Sequence, residues 1–235
     1  MRLLAGTSGF AYKEWKGPFY PQDLRDDAML GYYAGRLPTV EINNTFYRMP
    51  RESVVASWAD QAPDGFRFVL KASRKITHFG RLKNVASELE YFLRVSSALG
   101  PKRGPSLFQL PPNMKKDAAR LSEFVALLPR AWPAAFEFRH ASWFDDETYE
   151  ILRTRNAALC LADTGADEDA TPLVATADWG YVRLRAETYG DADLARWVAT
   201  LRVQPWGDAY VFFKHEDAGA GAKLALRLME LGLSE

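Results

Sequence analysis

Apolar residues along the chain gather in eight short runs, separated by longer stretches where they recur every three or four positions. The runs are LLAGTS (3–8), TVEIN (39–43), FRFVLKA (66–72), SLFQL (106–110), AAFEF (134–138), ALCLA (158–162), YVRLR (181–185) and YVFFK (210–214). Each has the length of a strand. Between them, Leu121, Phe124, Val125 and Leu128 follow the i, i+3, i+4, i+7 spacing of a helix behind Asp117 as N-cap. Leu194, Trp197, Val198 and Leu201 repeat the spacing behind Asp191, and Leu89, Phe92, Leu93 and Ser96 follow it less cleanly. A last helix over 220–231 is expected to stop at Gly232. Alternating strands and helices imply parallel strands joined by right-handed crossovers, and eight such units close a (β/α)8 barrel of the TIM type. An open doubly wound sheet is the alternative, but no GxGxxG follows the first strand. Residues 164–179 contain Pro172 and no helical period, so an irregular loop with a short extended piece is expected there. The economical reading is one domain over 1–235.

Within a barrel strand, alternate residues face the interior and the surrounding helices. The plainly apolar parity sends Val40 and Ile42, Phe68 and Leu70, Phe136 and Phe138, Val182 and Leu184, and Val211 and Phe213 outward. The other parity sends Glu41, Asn43, Lys71, Glu137, Arg139, Arg183, Arg185 and Lys214 inward, near the strands' carboxyl ends. Gln109 and Asp163 sit late in the fourth and sixth strands. Barrels of this kind carry their active sites at that end. Buried charges must pair with each other, with water or with a ligand. A charged plug that merely holds the strands in register is the bland explanation. A site is the more natural one, because removing buried charges often leaves stability unchanged or higher.

Charge is balanced over the 235 residues, 30 basic against 30 acidic, so no global field draws the protein to nucleic acid or anionic membrane. Any role for charge must be local. A single cysteine, Cys160, lies in an apolar run and fits an inert core thiol and a reducing cytosol. The amino terminus has too short an apolar run for a secretion signal, and no stretch approaches the ~18–20 apolar residues of a membrane span. A cytoplasmic protein is expected.

Six motifs resemble one family closely: GTSGFAYKEWKGPFYP (6–21), VEINNTFYRMP (40–50), FVLKASRKITH (68–78), LFQLPPN (107–113), AFEFRHASWF (135–144) and YVRLR (181–185). In this order they look like the YecE-like family, the domain of unknown function 72, over nearly the whole chain. The resemblance implies a TIM-type barrel and carries no established activity. Two departures lie at the expected mouth. Arg185-Ala186 stands where the family usually has a His-Gly pair, and Lys214-His215 where it typically has paired asparagines.

Several residues are open to two explanations. Thr7 and Ser8, in the Gly6–Gly9 turn, either approach a ligand or simply turn the chain. Tyr12 and Trp15 form a stacking wall or pack their own loop. Lys71, flanked by apolar residues, acts as a base or imine-forming nucleophile, or it pairs with Glu41 or binds an anion. Ser73 and His78 lie in the loop beyond it. Glu137 with Glu41 or Asp163 makes a two-carboxylate acid/base pair. His78, His140 and His215 lack the HxH or HExxH spacing of a metal site, so no metal and no cofactor is expected. HEDAGAGAK (215–223) opens the last helix where barrels commonly hold phosphate.

The expected function is therefore an enzyme, of hydrolase, lyase or isomerase type, on a small anionic or polyhydroxylated substrate. Glu137, Arg139, Glu41 and Lys71 are the expected catalytic residues, with Glu137 as general acid/base. Thr7, Ser8, Tyr12, Asn43, Asn44, His78, Gln109, His140, Asp163, Arg183, Arg185 and Lys214 are the expected substrate contacts. A nucleic-acid-binding module, drawing on seven tryptophans and ten tyrosines, is the first alternative, disfavoured by the neutral charge. A non-catalytic ligand-binding or scaffold protein is the second.

Overall fold

The computed structural model describes residues 1–165, 171–215 and 217–233. Its strands are β1 (Arg2–Ser8), β2 (Thr39–Ile42), β3 (Arg67–Lys71), β4 (Arg103–Gln109), β5 (Ala134–Glu137), β6 (Ala158–Asp163), β7 (Trp179–Leu184) and β8 (Asp208–Phe213). They close in sequence order into a parallel barrel, with β8 returning to β1. The helices are α1 (Met29–Ala34), α2 (Asn44–Tyr47), α3 (Glu52–Gln61), α4 (Ala86–Ser97), α5 (Ala118–Leu127), α6 (Asp146–Arg153), α7 (Asp191–Arg202) and α8 (Ala220–Leu233). The fold is an α/β TIM-type barrel, as the alternation of runs requires.

Two apolar layers follow from strand parity. Val40, Ile42, Phe68, Leu70, Phe136, Val182, Leu184, Val211 and Phe213 pack outward, together with helix residues such as Leu89, Phe92, Leu121, Phe124, Leu194, Val198 and Leu228. Leu4, Val69, Leu107, Ala135, Cys160, Tyr181 and Phe212 fill the barrel interior. Burial pushes the Cys160 thiol well above its ordinary pKa, so this cysteine is core. One step further along the same strands the inward residues become Ser8, Lys71, Gln109, Glu137 and Arg183, all buried. The interior is thus apolar below and charged above, and the boundary falls one pleat before the strands end.

Local chemistry sets the element ends. Asp117 caps α5 by accepting from the Arg120 N–H at 3.0 Å. At α7 the cap is Gly190 rather than Asp191, because Asp193 Oδ2 reaches back to the Gly190 N–H at 2.9 Å. The last helix passes through Gly232 to Leu233 instead of stopping before it. Arg202 from α7 donates to the Gly232 carbonyl at 2.7 Å, which satisfies an end that a glycine cap would otherwise serve. Among residues 164–179, those described before Trp179 contain no helix, in line with the missing period, and 166–170 lie outside the described residues. Thr176 accepts from the Leu159 N–H at 2.8 Å and Thr171 from the Ala162 N–H at 3.2 Å. Two hydroxyls from this segment therefore serve β6 amides, at Leu159 before the β6–β7 pairing begins and at Ala162 beyond the β5–β6 pairing. At Gly6 a Cβ would lie 2.1 Å from the Thr39 carbonyl oxygen, so only glycine lets β1 run against β2 there.

Candidate functional site

Arg183, inward on β7, spans the barrel. Its Nη2 donates to Glu41 on β2 at 2.8 Å and its Nη1 to Glu137 on β5 at 2.7 Å. Glu41 and Glu137 are both fully buried and Arg183 is 3% exposed. Other groups also serve these carboxylates, although Glu137 Oε1 has an ionic contact and no hydrogen bond. Glu41 accepts from Ser8 at 2.8 Å, Asn43 at 3.0 Å and the Tyr181 hydroxyl at 2.6 Å. Glu137 accepts from Gln109 at 2.9 Å, and Arg185 Nη2 lies 3.2 Å from its other oxygen. Burial alone raises a carboxyl pKa, but here Arg183, Arg185 and Gln109 overcome it and hold Glu137 down at about 2. Against the same burial, Arg183, Tyr181 and Ser8 hold Glu41 below the usual carboxylate range. Both groups are held toward their anions, which disfavours the acid half of the general acid/base role expected of Glu137. Nor does Glu137 line a solvated mouth; it lies in the floor.

Lys71 at the end of β3 is the residue that floor leaves without a counter-ion. Its Nζ donates to the neutral Gln109 Oε1 at 2.8 Å and sits 4.3 Å above the Phe46 ring from α2. Among the described residues no carboxylate oxygen lies within ion-pair distance of it; Arg183 holds both candidates. The expected Lys71–Glu41 pair does not form. Burial and the neighbouring Arg183 push the Lys71 ammonium down to about 8, with Lys214 adding to the effect and Glu41 and Glu137 opposing it. β3 is followed by one π-helical turn, Lys75–Phe79, an irregularity often found at functional sites. It places the His78 ring edge-on to the same Phe46 ring, 4.8 Å between centroids. Burial and the charges of Lys71, Arg139 and Arg81 hold His78 below its ordinary pKa, which favours the neutral imidazole.

The other expected residues divide by how far they lie beyond the strands. Arg139 is past the end of β5 and exposed, not buried beside Glu137. It shares with Arg185 a cleft of about 390 Å³, walled by Pro112, Phe138, Phe144 and Pro172. Lys214 is exposed, and its charge is felt at Lys71. Three residues turn away to local tasks. His140 accepts from the Ser142 N–H at 3.2 Å, Asp163 accepts from the Tyr189 hydroxyl at 2.8 Å, and Asn44 is exposed as the first residue of α2. Thr7 faces the helices, where its hydroxyl lies 2.8 Å from that of Tyr33. Tyr12 folds back onto the Ser8 carbonyl at 2.6 Å, against Trp15. Gly9, at φ 100°, makes room for that tyrosine, so the glycine turn serves its own loop. A larger cavity, about 610 Å³, lies outside the barrel between Asp163, Tyr189 and Trp197 and contains none of the charged floor.

Two residues belong to the site without having been expected, and a third, Tyr33, lies behind it on the helix side. Tyr181 shares the inward parity of Arg183, two residues on, and that signal was present in YVRLR. Phe46 lies in a loop helix, where parity says nothing. Tyr33 ties α1 to the barrel through the Thr7 N–H and the Thr39 carbonyl. Among the described residues no group of three or more His, Cys, Asp or Glu side chains is placed to hold a metal ion. No helix among them is long and apolar enough to cross a membrane.

Comparison with known proteins adds a family. Residues 4–234 match the model described as "Protein of unknown function DUF72". The chain is 33% identical over 113 residues to the UPF0759 protein YecE of Escherichia coli K12, covering 48% of this chain and 42% of that protein. It is 29% identical over 139 residues to the UPF0759 protein YunF of Bacillus subtilis 168, covering 56% and 49%. The matched segments thus span about half the length of these curated relatives. Among solved structures, a DUF72 protein of Thermotoga maritima superposes with TM-score 0.82 at 26% identity, covering 98% of this chain and 99% of that one. One from Enterococcus faecalis, at 19% identity and TM-score 0.83 over 99% and 96%, shares the fold.

Proposed function

The chain belongs to the DUF72 family, whose activity is not established, and on that premise we propose that the carboxyl-end mouth of its barrel is the active site of an enzyme for a small anionic substrate. One observation supports the proposal: Lys71 is buried at the strand ends with no carboxylate partner among the described residues, beside Glu41 and Glu137, which are already committed to Arg183. Two carboxylates face Lys71, Arg183 and Arg185, with Arg139 and Lys214 at the rim. The excess is positive, and a phosphate or carboxylate would neutralise it. The cleft shared by Arg139 and Arg185 is of the size that holds a small molecule. In this reading Arg185, Arg139 and Lys214 bind the anion, Glu41 and Glu137 hold Arg183 and orient the floor, Gln109 orients Lys71, and Lys71 with His78 moves protons. A lysine titrating near neutrality suits that task better than two carboxylates held toward their anions.

The test is thermal denaturation with inorganic phosphate, pyrophosphate and citrate against neutral sugars at equal ionic strength. Anions should raise the melting temperature, and Arg185→Met should abolish the effect. Equal response to anions and neutral sugars refutes the site. A nucleic-acid reading has one observation in its favour: Arg74 lies near the exposed rings of both Tyr47 (5.7 Å) and Phe79 (5.3 Å). Binding of single-stranded oligonucleotides that weakens steeply with salt, with no response to small anions, would select it.

A further inference from the structure

We infer that Lys71 is an imine-forming lysine, and that the substrate is a small aldehyde or ketone carrying a carboxylate or phosphate. This rests on the proposed anion site and names its substrate class.

The geometry argues for it in three ways. First, a lysine that serves only as a counter-charge needs a carboxylate, and Lys71 has none among the described residues. Its partner is the Gln109 carbonyl oxygen, which accepts an N–H equally well from an ammonium or from a protonated imine. The Gln109 amide hydrogens point the other way, to Glu137 at 2.9 Å, so the orientation of that oxygen is fixed. Second, the amine and the anion seat are joined by one side-chain relay. Lys71 holds Gln109, Gln109 holds Glu137, and Glu137 contacts Arg185, which lines the cleft with Arg139. That relay couples the amine to the arginines that would hold the anionic end of a carbonyl substrate. Third, a neutral imidazole is at hand. His78 packs on the same Phe46 ring as Lys71, and its Nδ1 lies 2.9 Å from the Thr77 hydroxyl. That leaves Nε2 as its other ring nitrogen for proton transfer.

The step balances. The Lys71 ammonium gives one proton to His78, the neutral amine attacks the carbonyl carbon, and the C=O π pair moves to oxygen, which takes that proton from the imidazolium. The nitrogen passes one proton to His78, and the same imidazolium returns it to the departing hydroxyl, which leaves as water. The sum is a ketone or aldehyde plus the lysine ammonium giving a protonated imine and one water. No oxidant or reductant is consumed. The cation so formed draws electrons from the adjacent carbon, which suits lyase or isomerase chemistry. Availability of the amine supports the step. At pH 7.5 about a quarter of a lysine titrating near 8 is neutral, against about one part in a thousand for an ordinary lysine.

The experiment treats the full chain with glyoxylate, the smallest anionic aldehyde, or with acetaldehyde, at pH 7.5 with sodium cyanoborohydride, and maps modified lysines by mass spectrometry. Lys71 should be modified by glyoxylate at least about tenfold faster than the exposed Lys13, and about tenfold faster than by acetaldehyde. Inorganic phosphate should protect it. Lys71→Arg, which keeps the charge, should abolish the fast adduct while phosphate still raises its melting temperature. Labelling of Lys71 no faster than Lys13 overturns the inference, and equal rates with both aldehydes overturn the anionic substrate class. If phosphate stabilises the protein while Lys71 stays slow, the imine fails and the anion site stands. If phosphate has no effect, the site itself fails.

Discussion

Replacing Glu137 by Gln keeps the shape of the side chain and deletes its charge. Arg183 then loses one of its two carboxylates and Arg185 loses its ionic contact in the floor. Glu137 is fully buried, so solvent does not screen the loss. Its pKa falls from 4.5 to about 2 on folding. At 1.36 kcal/mol per unit, a shift of about 2.5 units corresponds to roughly 3 kcal/mol at pH 7. That agrees with the 3–5 kcal/mol typical when one member of a buried pair is removed. The sign follows from the depressed pKa: the contribution is complete above about pH 4.5 and fades as pH falls toward 2. Urea unfolding of both proteins should therefore show a gap of about 3 kcal/mol at pH 7, closing to roughly 1.5 kcal/mol near pH 3. A gap below about 1 kcal/mol at pH 7, or one that does not change with pH, would refute the reasoning and return Glu137 to a solvated mouth.

Lys71→Met should act in the opposite direction. The folded-state pKa of Lys71 is depressed, so its charge costs stability below about pH 8. The variant should be about 1–2 kcal/mol more stable at pH 7 after loss of the Gln109 bond, with the advantage vanishing as pH rises through 8 toward 10, read by urea unfolding. Tyr181→Phe removes a 2.6 Å hydrogen bond to a buried carboxylate and should cost about 2 kcal/mol in the same assay. Gly6→Ala drives a methyl into the Thr39 carbonyl and should cost more than about 3 kcal/mol or abolish soluble expression; a melting temperature within a few degrees of the parent would contradict the close β1–β2 approach.

Strand parity carried information as far as the strands reach and no further. Glu41, Lys71, Glu137 and Arg183 converge because each lies within a strand, where the pleat dictates direction. Arg139 and Lys214 follow the same alternation on paper but lie past the last residues of β5 and β8, and both take the exposed rim. Asp163 does end β6, yet Tyr189 from the next loop captures it, a partner no alternation could reveal. Roles were harder to read than places. Which carboxylate stays ionised and which lysine titrates near neutrality depends on Arg183 reaching both Glu41 and Glu137, a matter of angstroms rather than of pattern. Thr7 shows the reverse case: its parity pointed to the helices, and the neighbouring glycines drew attention to a ligand instead.

The Arg183 bridge also sets an order on biosynthesis. Glu41 leaves the ribosome 142 residues before the guanidinium that will neutralise it, and Glu137 leaves 46 residues before. Until β7 emerges, a nascent barrel would have to bury two acids with only Lys71 nearby and no paired counter-charge, which costs several kcal/mol per ion. Closure of the charged floor is therefore expected to wait for β7, in the last quarter of the chain. A ribosome-arrested chain with residues only to 175 exposed should be cut readily by protease, and one exposing the whole barrel should resist. The same arginine that organises the floor of the mouth thus acts as a checkpoint against premature collapse.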